Sequence, residues 1–330
     1  MKICVVGAGA IGGWMGVLLA RLPGVQLSVL ARGETLKALH AHGLRMSDAQ
    51  GDHTVQVIAS DNAADLGAQD LIVLAVKAPA LEQVVPQIAP MMTPTTQVLT
   101  AMNGVPWWFL QGFGGTWANQ SLTSVDPQGH LAQAIPANQI IGCVVHSSCA
   151  MRSPGHVHHH FGNGLIVGEP SGVNSAATQR VYQWLQEAGF QATLSPCIQQ
   201  DTWYKLWGNM TMNPVSAITG ATSDLVLADP LVLDFVSSVM LEAKAIGNLL
   251  GLTIDQQPQD RHVLTRRLGA FKTSMLQDVE AGRAVELDAL VGAVQELGQL
   301  TGVATPFTNA LLGLSRLHAR VKGLYPLAEA

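Results

Sequence analysis

The chain has 330 residues, a formal net charge of −5, and 48% hydrophobic against 12% charged residues, a balance that excludes a disordered chain and leaves room for two domains, each with its own core. Charge so near neutral, with no basic run, argues against a nucleic-acid partner. No apolar stretch reaches spanning length without polar interruption, so a cytoplasmic protein outside the membrane is expected. The four cysteines, Cys4, Cys143, Cys149 and Cys197, lack CxxC spacing and read as small apolar residues, with no disulfide framework or metal site.

Residues 2–6 form an apolar strand pattern that runs directly into Gly7-Ala8-Gly9-Ala10-Ile11-Gly12. This is the glycine fingerprint of a dinucleotide-binding turn. Gly7 permits the tight turn, Gly9 has no Cβ to hold a pyrophosphate away, and Gly12 lets the next helix, predicted over 13–21, lie close to the sheet. The N–H groups and positive dipole end of that helix favour phosphate. A second strand at 26–30 ends in Ala31-Arg32-Gly33-Glu34. An arginine there suits a 2′-phosphate through its charged fork and points to NADP(H), while Glu34 is the competing carboxylate for a ribose.

A helix near 35–42, a strand near 54–59 and an apolar strand at 70–76 follow, then a helix opened by Pro79 and a central strand at 97–102. Lys77 and Asn103 stand where two of these strands emerge toward the ligand side of an open sheet. Lys77 suits cofactor phosphates, and Asn103 suits the nicotinamide end or the substrate. Strands near 140–147 and 165–168, a helix at 174–187 and a strand at 191–195 complete a βαβ succession, hence a doubly wound Rossmann-type sheet over residues 1–196. The tract Gly155-His156-Val157-His158-His159-His160 reads as a polar strand face near the sheet edge, with His156, His158 and His160 together and His159 opposite.

From 197 to 330 apolar residues recur at helical spacing through 225–250, 261–281 and 287–301, so this domain is expected to be all-helical, with surplus apolar surface suited to homodimer formation. Lys205, Asn209 and Asn213 are spaced i, i+4, i+8 and share one helical face among large apolar residues. A lysine and two amides there ask for a partner, and a ligand supplies one. A second cluster is Thr273-Ser274-Met275-Leu276-Gln277-Asp278 with Glu286 and Asp288. Ser274 and Glu286 are expected to converge from adjoining helices, and Asp278 with Arg283 to fix the turn between them.

Together the N-terminal GAGAIG, the Lys205-x3-Asn209-x3-Asn213-Pro214 helix and the Ser274-Met275-Leu276-Gln277-Asp278…Glu286-x-Asp288 segment resemble the ketopantoate reductase family over nearly the whole chain. The resemblance implies a Rossmann domain, a helical domain like that of 6-phosphogluconate dehydrogenase, NADPH, and reduction of a small 2-oxo acid, 2-dehydropantoate, to the 2-hydroxy acid pantoate in pantothenate biosynthesis. By that likeness Lys205 is the proton donor and Glu286 orients it or holds substrate or cofactor. Asn209, Asn213 and Ser274 bind substrate, Asn103 bridges cofactor and substrate, and Arg32 and Lys77 surround the NADP phosphates. Ala150, on the loop after the strand at 140–147, approaches the cofactor.

The chain departs from the family pattern in three places. The segment 105–139 is about twenty residues longer than usual, begins Val105-Pro106-Trp107-Trp108-Phe109 beside a pocket residue, and reads as a lid or functional loop. Ser223 stands at a position where an asparagine is common, and Val285 replaces the usual threonine. These departures keep open the same chemistry on a bulkier 2-oxo acid, and a non-catalytic NADPH sensor is the alternative of a different class.

Overall fold

A computed structural model describes residues 1–327, which group into two compact units. The first comprises Met1–Met102, Trp108–Gln120 and Gly129–Asp201. The second comprises Asn103–Trp107, Ser121–Gln128 and the chain from Thr202 onward. The segment 105–139 is therefore divided between the two.

The first unit is a ten-stranded sheet with helices. In chain order it carries β1 (Lys2–Val6), α1 (Ala10–Leu19), β2 (Gln26–Leu30), α2 (Gly33–His42), β3 (Leu44–Asp48), β4 (Gly51–Val55), β5 (Ile58–Ser60), α3 (Ala63–Leu66), β6 (Leu71–Leu74), α4 (Leu81–Val84), β7 (Gln97–Ala101), α5 (His130–Ala134), β8 (Ile140–Ser153), β9 (His156–Gly168), α6 (Ala176–Glu187) and β10 (Gln191–Leu194). The strand order is β4-β3-β9-β8-β7-β6-β1-β2-β5, with β10 on β9. From β5 through β8 the strands are parallel, and β6 and β7 are buried at every position, as strands covered on both faces must be.

Glycines set how closely α1 approaches this sheet. A Cβ at Gly16 would sit 2.7 Å from Leu44 Cδ2, and Gly13 lies against Val157 just as tightly. Trp14 of α1 stacks parallel to His159 at 5.7 Å and meets Phe190 edge-on at 5.0 Å. The alternation within the histidine tract thus places His159 on the helix-covered face. His156, on the other face, bonds Ser47 at 2.7 Å, while the His158 and His160 rings lie 4.5 Å apart.

The histidine tract lies near the sheet edge but two strands in from it, with β9 flanked by β8 and β3 at His156 and His158. The structure corrects two expectations here. The strand expected over 54–59 is two strands, and β3 before them was not foreseen. β3 and β4 form a hairpin around Asp48–Gly51, with the Gln50 N–H bonded to Asp48 Oδ1 at 2.8 Å. Strands β8 and β9 run far past their expected limits as one long antiparallel ladder with register shifts, so Ala150 is a strand residue opposite His158, not a loop residue.

The aromatic start of the 105–139 segment is core. Trp107 and Trp108 are each 2% exposed and Phe109 is fully buried. Trp108 donates its indole N–H to Thr100 Oγ1 at 3.0 Å, and its ring occupies the space over Gly142 that a side chain there would fill. The segment also holds α5 and two short 3₁₀ turns. These aromatics pack; they do not form a lid.

Helix α7 (Ile198–Thr219) leads into the second unit, which continues through α8 (Ser223–Ala228), α9 (Pro230–Leu250), α10 (Pro258–Arg266), α11 (Ser274–Glu280), a π-turn at Asp288–Gly292, α12 (Ala293–Thr301) and α13 (Pro306–Val321). The expected helix 225–250 is broken because Asp229 caps α9, accepting from Leu231 and Val232 N–H at 3.0 Å each, ahead of Pro230. The stretch 261–281 is likewise two helices, with Thr273 capping the second. Among the described residues, no helix is long and apolar enough to cross a membrane.

Candidate active site

In the first unit a cleft of about 330 Å³ opens at the carboxyl ends of β1, β2 and β6, lined by Gly7, Ala8, Gly9, Arg32, Asp61 and Met151 among others. Gly7 turns the chain at φ +93°, and a Cβ there would lie 2.6 Å from Val76 Cγ1. At Gly9 a Cβ would meet nothing within 4 Å, so no packing within the protein requires a glycine there and the space beside it is open to a ligand. Gly12 presses on the Gly7 carbonyl, which no side chain there would permit. Ala10, Ile11 and Gly12 form the first turn of α1, and the Gly9 carbonyl accepts from Gly13 N–H at 2.8 Å. This cradle fits a dinucleotide pyrophosphate at the helix N-terminus.

Beyond β2, Arg32 is exposed on the cleft and donates to Gln83 Oε1 at 3.0 Å. Glu34 does not line the cleft; it is 75% exposed and paired with Lys37 at 2.8 Å. Lys77 comes three residues after β6, at the start of a 3₁₀ turn, between the cleft residues Val76 and Ala80. Ala150 lies on the opposite face of its strand from Met151, and it is Met151 that reaches the cleft. Asp61 and Met151 were missed in the sequence. Asp61 follows β5, which had been merged with its neighbour, and Met151 belongs to the unforeseen extension of β8.

In the second unit, α7 runs without a break through Lys205, Asn209 and Asn213, so the three do share a face. Lys205 donates from Nζ to Asn103 Oδ1 at 2.8 Å, although 102 residues separate them. Asn213 is buried, and its Nδ2 donates to Ser274 Oγ at 3.4 Å. Two sequence-distant residues, Asn103 and Ser274, are thus brought to the two ends of the Lys205 row. Glu286 is half-buried at the end of an irregular stretch, its carbonyl accepting from Leu290 N–H at 3.2 Å. Arg283 donates to Asp278 Oδ1 at 3.1 Å and closes the turn between α11 and that stretch.

The residues at which the chain departs from the family pattern are built into the fold. Ser223 is buried, with its hydroxyl committed to the Gly269 carbonyl at 2.9 Å. Val285 is buried, and its N–H donates to the Leu324 carbonyl at 3.2 Å.

A glycine turn at the carboxyl end of an inner strand of a parallel sheet, with a helical unit that carries a lysine and two amides in a row, defines a dinucleotide-dependent oxidoreductase built in two parts. The chain belongs to the ketopantoate reductase family: residues 3–172 match the family described as Ketopantoate reductase PanE/ApbA, and residues 197–319 match its C-terminal part. A 2-dehydropantoate 2-reductase of Mesorhizobium japonicum is 42% identical over 325 residues, covering 98% of this chain and all of the relative. A solved structure from Ralstonia solanacearum MolK2, described as a candidate ketopantoate reductase, superposes with a TM-score of 0.93 at 53% identity, covering 98% of this chain and 99% of that one. D-Mandelate dehydrogenase with NADH and anilino(oxo)acetate shares the fold, with a TM-score of 0.83 at 21% identity over 98% of this chain and 100% of that one.

Proposed function

We propose that this protein reduces 2-dehydropantoate to pantoate with NADPH. The observation that carries the reading is the Lys205 ammonium held 2.8 Å from Asn103 Oδ1 on a helix face that continues through Asn209 and Asn213 to Ser274, in a member of this family. NADPH, when bound at the glycine turn, supplies a hydride to C2 of the oxo acid. Lys205 polarises the C2 carbonyl and gives its proton to the oxygen as the alkoxide forms, so hydride and proton together complete the 2-hydroxy acid. Asn103 orients the ammonium. Asn209, Asn213 and Ser274 take the substrate's carboxylate and hydroxyl groups, and Glu286 holds substrate or cofactor in line with Lys205.

Gly7, Ala8, Gly9, Ala10, Ile11 and Gly12 cradle the pyrophosphate, and Arg32 meets the 2′-phosphate, with Lys77 on the cofactor's flank and Met151, in place of Ala150, lining the cleft. Arg32 on the cleft, with Glu34 turned to solvent and paired, supports NADPH over NADH. The buried Trp107, Trp108 and Phe109 favour 2-dehydropantoate over a bulkier oxo acid, because they are spent on the core. Exposed leucines on α9 and α13, among them Leu231, Leu241, Leu314 and Leu317, support a homodimer formed through the helical unit, and the reaction is assigned to the cytoplasm. The domain boundary belongs to the same proposal, with 1–196 for the cofactor and 197–330 for substrate and dimer. The test is kcat/KM for 2-dehydropantoate beside a panel of 2-oxo acids, followed by NADPH absorbance. A clear preference for 2-dehydropantoate supports the reading, and turnover of other oxo acids alone would overturn the substrate.

A further inference from the structure

Past α13 the chain reverses. Gly323 adopts φ +69°, and Leu324 N–H bonds back to the Ala319 carbonyl at 2.8 Å, which closes the helix as a Schellman turn. Residues Leu324, Tyr325 and Pro326 then run beside the stretch that carries Glu286. The Leu324 carbonyl accepts from Val285 N–H at 3.2 Å, the Tyr325 hydroxyl donates to Asp288 Oδ1 at 2.5 Å, and the Pro326 carbonyl accepts from Arg320 Nε at 2.9 Å. Arg316 reaches the same Asp288 oxygen at 3.3 Å. The guanidinium groups of Arg316 and Arg320 lie 5.9 and 5.5 Å from the centre of the Tyr325 ring. Glu286 is therefore bracketed by anchors one residue before it and two residues after it.

Asp288 also opens the π-turn, a form that tends to mark functional sites. The next carbonyl, that of Ala289, accepts from Val105 N–H at 2.8 Å. Gly104 makes this approach possible. It sits at φ +82°, and a Cβ there would lie 2.6 Å from the Ala289 oxygen. The docked loop is the one whose Asn103 holds Lys205. A continuous path of contacts thus joins Tyr325 to Asp288, the π-turn, Val105, Asn103 and Lys205, all within the second unit.

We propose that Tyr325 is a positioning residue for the reaction: through Asp288 it fixes the Glu286 stretch and the π-turn on which the Asn103 loop docks, and so sets the aim of Lys205. The strap lies past residue 319, where the family match ends, and the proposal rests on the reductase reading above. A misplacement of catalytic groups by about 1 Å can cost up to about 100-fold in rate, so a hydroxyl-sized change has a measurable effect.

Tyr325→Phe keeps the ring and its stacking and removes only the hydroxyl. It is expected to lower kcat roughly tenfold while the KM for NADPH and the melting temperature stay near their starting values. Asp288→Ala should do the same, and Asp288→Asn, which keeps an oxygen for Tyr325, should recover most of the loss. Hydrogen–deuterium exchange over 103–107 reads the docking without any turnover, and it should quicken in Tyr325→Phe. Unchanged kcat with unchanged exchange would overturn the proposal, as would a lowered melting temperature with unchanged kcat, which makes the strap a stabilising clasp alone. Faster exchange in a protein whose wild type fails to reduce 2-dehydropantoate would support the docking path and overturn the reductase reading by itself.

Discussion

Lys205 is held by a residue far away in sequence. The i, i+4, i+8 row was legible because a helix fixes which positions share a face, and α7 is one unbroken helix there. Its pairing with Asn103 was not legible, because nothing local encodes a contact across 102 residues. Lys205→Ala should cut kcat by about 10²–10⁴-fold with NADPH still bound, as cofactor fluorescence would report; near-normal turnover would remove it as the proton donor. Arg32→Ala should weaken NADPH much more than NADH in a binding titration, since only the former carries the phosphate that its fork recognises. Equal loss for both would contradict the assignment.

At the scale of elements, the buried parallel strands were readable because a run such as Leu71-Ile72-Val73-Leu74 is apolar at every position. The outer strands were not. Strand β4, Gly51-Asp52-His53-Thr54-Val55, has no fully buried residue, so it carries no hydrophobic alternation to read. Strands β8 and β9 lose their pattern at register shifts, which hid both their length and the place of Met151. The aromatic run 107–109 is ambiguous in sequence because an apolar insertion looks alike whether it meets substrate or core, and only the hole over Gly142 decides it. Trp108→Ala should accordingly destabilise the protein by about 3–5 kcal/mol in urea denaturation, the cost of a large buried cavity. A change below about 1 kcal/mol would place Trp108 outside the core.

Across the whole molecule, the change of texture near residue 197 announced two parts, but the return of 103–107 and 121–128 to the second unit was invisible in sequence. One carboxylate secures the latter stretch. Glu296 accepts from Thr123 N–H at 2.7 Å, Thr123 Oγ1 at 2.9 Å and Ser124 N–H at 2.8 Å. Burial pushes its carboxyl up, yet the hydrogen bonds from Ser124 and Thr123 outweigh that and hold it below the usual carboxylate range. A carboxyl depressed in the folded state stabilises fully above the unfolded value, about 4.3, and that stabilisation is lost as pH falls through the folded value. Glu296→Gln should therefore flatten this part of the acid-unfolding curve below about pH 4.3, as circular dichroism would show; an unaltered curve would contradict the anchoring role.

The claim at the centre is that hydride reaches C2 of 2-dehydropantoate. The direct measurement is incubation of the wild-type protein with 2-dehydropantoate and NADPH deuterated at C4, using each stereoisomer in turn, with mass analysis of the product. The expected result is pantoate carrying one deuterium at C2 from one of the two cofactors. Recovery of unreacted 2-dehydropantoate, or of pantoate without deuterium from either, would contradict it.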